Sequence, residues 1–209
     1  MNLFEKGLLQ YLNKRQLHQI QSVHIGIGGA GGIGSNVAII LARCGFRYFE
    51  IIDFDKITVS NLNRQHYFLK DIEKTKVSVL KKYLLNINPD VKIKLYTKKW
   101  NVSDGECYFK GCDFIIEAFD IPKNKQQFIE YYQDKTKYLI SADGIAGINI
   151  TPQIQIKKIG NIFFVGDRKT KVSKHQPPMS PGVITCAAMM AEIVLDLCIS
   201  STKKEKKQT

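Results

Sequence analysis

Apolar residues recur along the chain in two rhythms, one of helical period and one of strands. Leu3 to Gln21 carries them at helical spacing and predicts one amphipathic helix. Val23 to Ile27 is a short strand, followed by glycines at 28, 29, 31, 32 and 34. Ser35 to Arg43 is helical and stops at Gly45. Phe49 to Phe54 is an apolar strand ending in acid, Asp71 to Asn86 a helix ended by Asn88-Pro89, and Val91 to Tyr96 a strand. Phe114-Ile115-Ile116 is a buried strand leading into Glu117 to Asp120. Lys123 to Tyr132 is a helix and Tyr138 to Ala142 a strand.

This alternation predicts an α/β, Rossmann-like fold: a mostly parallel sheet with helices on both faces. After Gly144 the rhythm changes. Ile154-Gln155-Ile156 and Ile162 to Val165 flank a short polar turn and predict an antiparallel C-terminal extension. A polar loop from Gly166 to Pro181 leads to a last helix, Gly182 to Ile199, apolar around much of its circumference. Nothing reads as a linker, so residues 1–199 are expected to form one domain and 200–209 a basic flexible tail.

Composition adds little. The 209 residues are 44% hydrophobic and 24% charged, ordinary globular values that exclude disorder over most of the chain. The formal net charge of +12 raises nucleic acid as a partner, but only five of the 31 basic residues are arginine and they form no stripe. A nucleic-acid partner is therefore not expected. The five cysteines, at 44, 107, 112, 186 and 198, lack Cys-x-x-Cys spacing, so neither zinc nor a redox pair is expected. Reduced thiols and the absence of a signal-peptide pattern at the start fit a cytoplasmic protein. Residues 183–199 come nearest to a membrane span, but Glu192 and Asp196 interrupt them, and no membrane contact is expected.

Chemistry enters with the glycines. Gly29-Ala30-Gly31-Gly32-Ile33-Gly34 satisfies Gly-x-Gly-x-x-Gly between a strand and a helix, the context in which it binds a nucleotide phosphate. The glycines admit close backbone approach, and the helix start offers N–H groups and positive potential. Asp53 ends the next strand, where a carboxylate accepts ribose hydroxyls. The loop alone does not choose between NAD and ATP. Tyr131-x-x-x-Lys135 evokes a short-chain dehydrogenase, but the nearest upstream serine, Ser103, stands too far away for the required carbonyl-polarising role. Two surface residues one helical turn apart are the simpler account.

The most specific stretch is Asp53-Phe54-Asp55, then Ser60-Asn61-Leu62-Asn63-Arg64-Gln65. A ribose site has no need of that second run, whereas phosphoryl transfer can use it. Asn and Ser orient phosphate oxygens, and Arg64 offers a planar fork. Lys76 follows as a second cation. Asp120 lies past the fourth strand at the ligand edge of the sheet, where a carboxylate beside phosphates holds Mg²⁺.

Together these motifs resemble the ThiF/MoeB/ubiquitin-activating adenylyltransferase family over roughly residues 10 to 199. The short length, Glu117-Ala118-Phe119-Asp120 and Met179 to Leu197 look like the ThiF branch that acts on ThiS-type sulfur carriers. The resemblance implies that Gly29, Gly31, Gly32, Gly34, Ser35, Asp55, Asn61, Asn63 and Gln65 surround ATP. It gives Asp53 to the ribose, Arg64 and Lys76 to the phosphates, and Asp120 to Mg²⁺. The implied reaction is adenylylation of the C-terminal Gly-Gly carboxylate of a ubiquitin-like (β-grasp) carrier, as in thiamine thiazole biosynthesis, by a homodimer. Two features depart from the family: the paired Cys-x-x-Cys motifs of larger relatives are missing, and only Lys14-Arg15-Gln16 resembles the N-terminal motif that lends an arginine to the partner subunit's ATP.

Three other readings compete. A nicotinamide oxidoreductase is disfavoured by the Ser60 to Gln65 run. An ATP-dependent tRNA-modifying dehydratase of the same superfamily suits the charge, but its relatives usually carry Thr where Ser60 stands and a longer C-terminal part. A non-catalytic member is disfavoured by the joint presence of Asp53, Arg64, Lys76 and Asp120.

Overall fold

The structure, a computed structural model, describes residues 1–205. Its centre is a seven-stranded sheet of β1 (His24–Gly28), β2 (Tyr48–Ile52), β3 (Lys92–Tyr96), β4 (Phe114–Glu117), β5 (Tyr138–Ala142), β6 (Gln155–Ile159) and β7 (Ile162–Gly166), in the order β3-β2-β1-β4-β5-β7-β6. Every neighbouring pair is parallel except β6 and β7, which form the expected antiparallel hairpin. β7 also pairs parallel with β5, so the extension joins the main sheet and only β6 runs against it.

Alternate strand residues face opposite cores. One core is mainly aliphatic: Ile25, Ile27, Phe49, Ile51, Ile116 and Val165 meet α3 (Gly32–Arg43), α4 (Lys76–Ile87) and α6 (Ser180–Glu205). The other is aromatic: Trp100, Tyr108, Phe109, Phe128 and Tyr132 cover Ile52, Ile115 and Leu139, held by α5 (Pro122–Tyr132) and a 3-10 turn over Val102–Cys107. Gly26 and Gly28 in β1 make room for those rings; a Cβ on either would fall within 2.8 Å of Phe109 or Phe128.

Three expected elements differ. The single N-terminal helix is two, α1 (Leu3–Leu8) and α2 (Lys14–Ser22). Asn13 starts the second by accepting from Gln16 N at 2.9 Å, while Gln16 Oε1 accepts from Asn13 N at 3.0 Å. The break seats fully buried Glu5 against Arg47 and Asn88. The helix expected from Asp71 begins only at Lys76. Asp71 instead accepts from Phe68 N at 3.1 Å and from Tyr83 Oη, and Glu73 turns the chain at φ 68°.

The third is α6, which runs from Ser180 to Glu205 and takes up the first part of the expected tail. The remainder of that tail, 206–209, lies outside the described residues. Over Ser180–Ser200 this helix is long and apolar enough to cross a membrane, with mean hydropathy 2.0. The same composition serves a core helix: Val183, Cys186, Ala187, Met190 and Val194 are buried and α6 packs along α3.

Strand order reverses between β1 and β4. The crevice past their carboxyl ends is where ligands of open α/β sheets bind, and the glycine loop and Asp120 both follow from it.

Candidate functional site: a glycine loop between two walls

Gly28, the last residue of β1, lies beside Ile52 of β2 and Glu117 of β4. Gly29 then turns at φ 96°, and its N–H donates to Ile52 O at 2.8 Å. Gly34 lies so close to this turn that a Cβ would stand 1.8 Å from Gly29 O. Gly32 is flanked by Val183 and Arg64. Gly31, which precedes α3, faces open space: a Cβ there would have only Gln65 Nε2 within 4 Å, at 3.8 Å. Above that space Gln65 is buried, and its Oε1 has no hydrogen-bond partner.

The first wall is the segment from Asp53 to Tyr67. Asp53 Oδ2 accepts from Ala30 N at 2.7 Å and Oδ1 from Asp55 N at 2.8 Å, so this acid ties the loop to the end of β2. Each oxygen keeps a second lone pair for a ribose hydroxyl. Burial raises the Asp53 carboxyl above its ordinary range, against the Lys76 charge and the two N–H groups. Lys76 is itself buried and donates to Asp55 Oδ2 at 2.6 Å. Ser35 is fully buried: its Oγ donates to Gly31 O at 2.6 Å and accepts from His66 N at 3.1 Å. Ser35 therefore joins the loop to the motif instead of opening onto the space above it.

Asn61 Oδ1 accepts from Thr58 N at 3.1 Å and stabilises its turn. Asn63 reaches across to the loop before α6, donating to Pro178 O at 3.1 Å. Arg64 Nη1 donates to Asn63 Oδ1 at 2.8 Å and Ser60 O at 3.0 Å. Its guanidinium is lowered by burial and supported by the charge of Asp120. Asp120 is exposed at the second wall, the turn after β4.

Thus Gly29, Gly31, Gly32, Asp53, Arg64, Gln65, Lys76 and Asp120 lie along the two walls and the loop between them, whereas Gly34, Ser35 and Asn61 hold the frame. Two framing residues have no part in the expected set. Asn36 Nδ2 donates to Gly32 O at 2.6 Å and Arg64 O at 2.9 Å, and Tyr67 Oη donates to Ala30 O at 2.8 Å. Asn36 directly follows Ser35 in the glycine motif, a usable signal; Tyr67 has none.

The crevice fits a nucleotide. Gly31 leaves room for backbone approach, the start of α3 offers N–H groups, and Gln65 keeps an unused acceptor. Mg²⁺ fits a lone carboxylate because that ion takes one or two from the protein and the rest from phosphate and water. Among the described residues no three of His, Cys, Asp and Glu converge on a metal position.

Other candidates lie outside. Lys135 Nζ stands 3.3 Å over the Tyr131 ring, which packs on Trp100 in the aromatic core. Cys186 is fully buried, donates to Val165 O at 3.4 Å and is pushed up to about 12 by burial, so it is no ready nucleophile. Arg15 lies exposed on α2.

The chain is similar to tRNA threonylcarbamoyladenosine dehydratases and to ubiquitin-like modifier-activating enzymes. It is 32% identical over 152 residues to the tRNA threonylcarbamoyladenosine dehydratase of Haemophilus influenzae, an alignment covering 72% of this chain and 58% of that protein. It is 35% identical over 115 residues to the SUMO-activating enzyme subunit 2 of Dictyostelium discoideum, covering 54% of this chain and 17% of that one. The chain thus spans less than two thirds of the length of these relatives. The Escherichia coli dehydratase TcdA in complex with ATP matches with a TM-score of 0.85 at 21% identity, covering 95% of each chain, which shows a shared fold. The ThiF family pattern matches residues 5–208, nearly the whole sequence. The chain belongs to the ThiF family.

Proposed function

We propose that this chain is an ATP-dependent enzyme that transfers AMP to a substrate carboxylate and releases pyrophosphate. One observation carries the reading: the open space at Gly31, where only Gln65 Nε2 comes within 4 Å, at 3.8 Å, and Gln65 Oε1 has no hydrogen-bond partner. A carboxylate is ionised at neutral pH and needs no general base to attack phosphorus. The protein's task is alignment and neutralisation of phosphate charge. In this reading the glycine loop and Gln65 place the nucleotide, while Arg64 and Lys76 hold the phosphates. In that role Lys76 exchanges its Asp55 partner for phosphate. Mg²⁺ bound through Asp120 supplies further charge neutralisation. ATP is favoured over NAD because its triphosphate carries more charge for this pair of cations to neutralise.

For the substrate, the relatives favour the dehydratase reading over adenylylation of a ThiS-type carrier. A threonylcarbamoyl group ends in a carboxylate. Once that is an acyl-adenylate, attack on its carbonyl carbon by an internal nucleophile of the same group would form a ring, expel AMP with the carboxylate oxygen and release a proton, a net loss of water driven by ATP. The net charge of +12 suits a tRNA partner. The Gly-Gly carrier stays as a second reading on one observation: Gly32 lies against Val183 and Arg64, a narrow approach that suits an unbranched glycine tail. Either reaction is proposed for a cytoplasmic homodimer whose adenylylating domain, expected over residues 1–199, extends to the end of α6 at Glu205.

ATP–pyrophosphate exchange separates the readings. It should require threonylcarbamoylated tRNA, and a response confined to a carrier ending in Gly-Gly would replace that substrate by the second. Exchange with neither, or tighter calorimetric binding of NAD than of ATP·Mg²⁺, would end the adenylylation reading. Light scattering at one chain mass would remove the dimer.

A further inference from the structure

Glu117, the last residue of β4, is fully buried. Its Oε1 accepts from Phe119 N at 2.8 Å. Its Oε2 accepts from Ser141 Oγ at 2.6 Å and pairs with Lys125 Nζ. Lys125, on α5, also donates to Ala142 O at 2.8 Å. One carboxylate therefore ties together the ends of β4 and β5, the start of α5 and the turn after β4.

A buried ion pair is a poor way to gain stability, since apolar residues of similar volume serve a core as well or better. What this pair holds is more specific. The turn over 118–120 lies directly on the glycine loop: Ala118 N donates to Gly28 O at 2.9 Å, and a Cβ on Gly29 would fall 2.8 Å from Ala118 O. Phe119 packs against Phe128 and Trp100, which anchors the turn from its other side. Asp120 is the next residue, exposed, with its charge acting on Arg64.

We propose that Glu117 is a positioning residue: by accepting the Phe119 N–H it fixes the turn that presents Asp120 to the Mg²⁺-bearing phosphates. The proposal rests on the adenylylation reading. Lys125 and Ser141 are its partners at the other oxygen, which leaves Oε1 to the Phe119 N–H.

Two double variants test it, both carrying Lys125→Met so that no lone buried ammonium is left. Glu117→Gln with Lys125→Met retains an oxygen for Phe119 N–H and removes the charge. Glu117→Leu with Lys125→Met removes the acceptor too. Amide hydrogen exchange across 118–121 reads the turn without nucleotide, and calorimetry reads the Mg²⁺ dependence of ATP binding. The glutamine pair should keep both close to wild type. The leucine pair should unfold as cooperatively as wild type, lose protection at Phe119 and Asp120, and need at least about tenfold more Mg²⁺.

A folded leucine pair with unchanged Mg²⁺ dependence would overturn the proposal. Equal losses in both pairs would also overturn it, by assigning the effect to the charge and not to the Phe119 hydrogen bond. In both cases wild type binds ATP·Mg²⁺ normally. If wild type binds no nucleotide, the adenylylation reading itself has failed and takes this role with it.

Discussion

The two walls of the crevice are built by different means. From Asp53 to Tyr67 the wall is held by polar side chains that each grip a main-chain group of the glycine loop or its neighbours: Asp53 on Ala30 N, Ser35 on Gly31 O, Asn36 on Gly32 O, Tyr67 on Ala30 O. From Glu117 to Asp120 the wall hangs on one buried acid and its lysine. The first wall spreads its hold over many modest bonds, each worth about 1 kcal/mol net. The second concentrates it in one charged node that is costly to break singly. Motif residues thus divide into those that frame the crevice and those that face it.

The sharpest break of this division lies in the glycines. Gly34→Ala puts a methyl 1.8 Å from Gly29 O, backbone against backbone, and nothing flexible can yield. A loss of about 3 kcal/mol or more in chemical denaturation is expected. Gly31→Ala meets no atom closer than 3.8 Å and keeps an ordinary φ of −81°, so stability should change little. Its methyl would occupy the nucleotide's space, and ATP affinity should fall at least about tenfold, or about 1.4 kcal/mol. Equal stability of the two variants would erase the distinction between frame and face.

Asp120→Ala tests the facing side of the second wall. The exposed carboxylate has no core to serve, so the melting temperature should hold. Pyrophosphate exchange should drop by about a hundredfold or more, since several kcal/mol of charge stabilisation depends on the metal it would hold. Normal exchange would place the metal elsewhere.

How far these walls were legible in the sequence follows the same line. The glycine loop, Asp53, Arg64 and Lys76 stand out by residue type and spacing, and the tie between the loop and Asp53 is present as Asp53 Oδ2 on Ala30 N. β1 and β4 were legible because strands covered on both faces are apolar in both phases. The break at Asn13 was not, because a cap inside a polar stretch of a helical pattern looks like one more surface position. Lys76 opens α4 because its N–H is taken by Asp55 O at 3.0 Å, a tertiary contact. Glu117 stood out only as part of the Glu117 to Asp120 stretch, and its role was not legible for a related reason: its partners Lys125 and Ser141 come from α5 and β5, and only the sheet brings them together.

Asn36→Ala probes a single framing side chain of the first wall. It leaves Gly32 O and Arg64 O without their shared donor, and the site is too buried for easy replacement by water. Unfolding free energy should fall by about 2 kcal/mol. The affinity for ATP should fall too, but by less than for Gly31→Ala, because the crevice loosens without being filled. An affinity loss larger than that of Gly31→Ala would make Asn36 a facing residue and move the boundary between the two classes.

The smallest effect concerns pH. His66 follows Gln65 in the first wall, its ring edge-on to Phe68 and Tyr83. Burial lowers its imidazole below the ordinary value of 6.5, with Arg43 adding to the shift. Above 6.5 the ring is neutral in folded and unfolded chains and pH has no leverage through it. As pH falls below 6.5, the unfolded chain takes the proton first, so stability drops until the folded ring titrates as well. Asp53 works in the opposite direction at lower pH, since its raised carboxyl takes up a proton in the folded state before the unfolded one. His66→Asn should therefore flatten the fall in melting temperature between neutral and mildly acid pH and leave the strongly acid limb as it is. The main-chain bond from residue 66 to Ser35 survives that substitution, so the first wall keeps its form. An unchanged slope would mean that the ring meets water freely enough to titrate alike in both states, and this end of the first wall would then be softer than its hydrogen bonds imply.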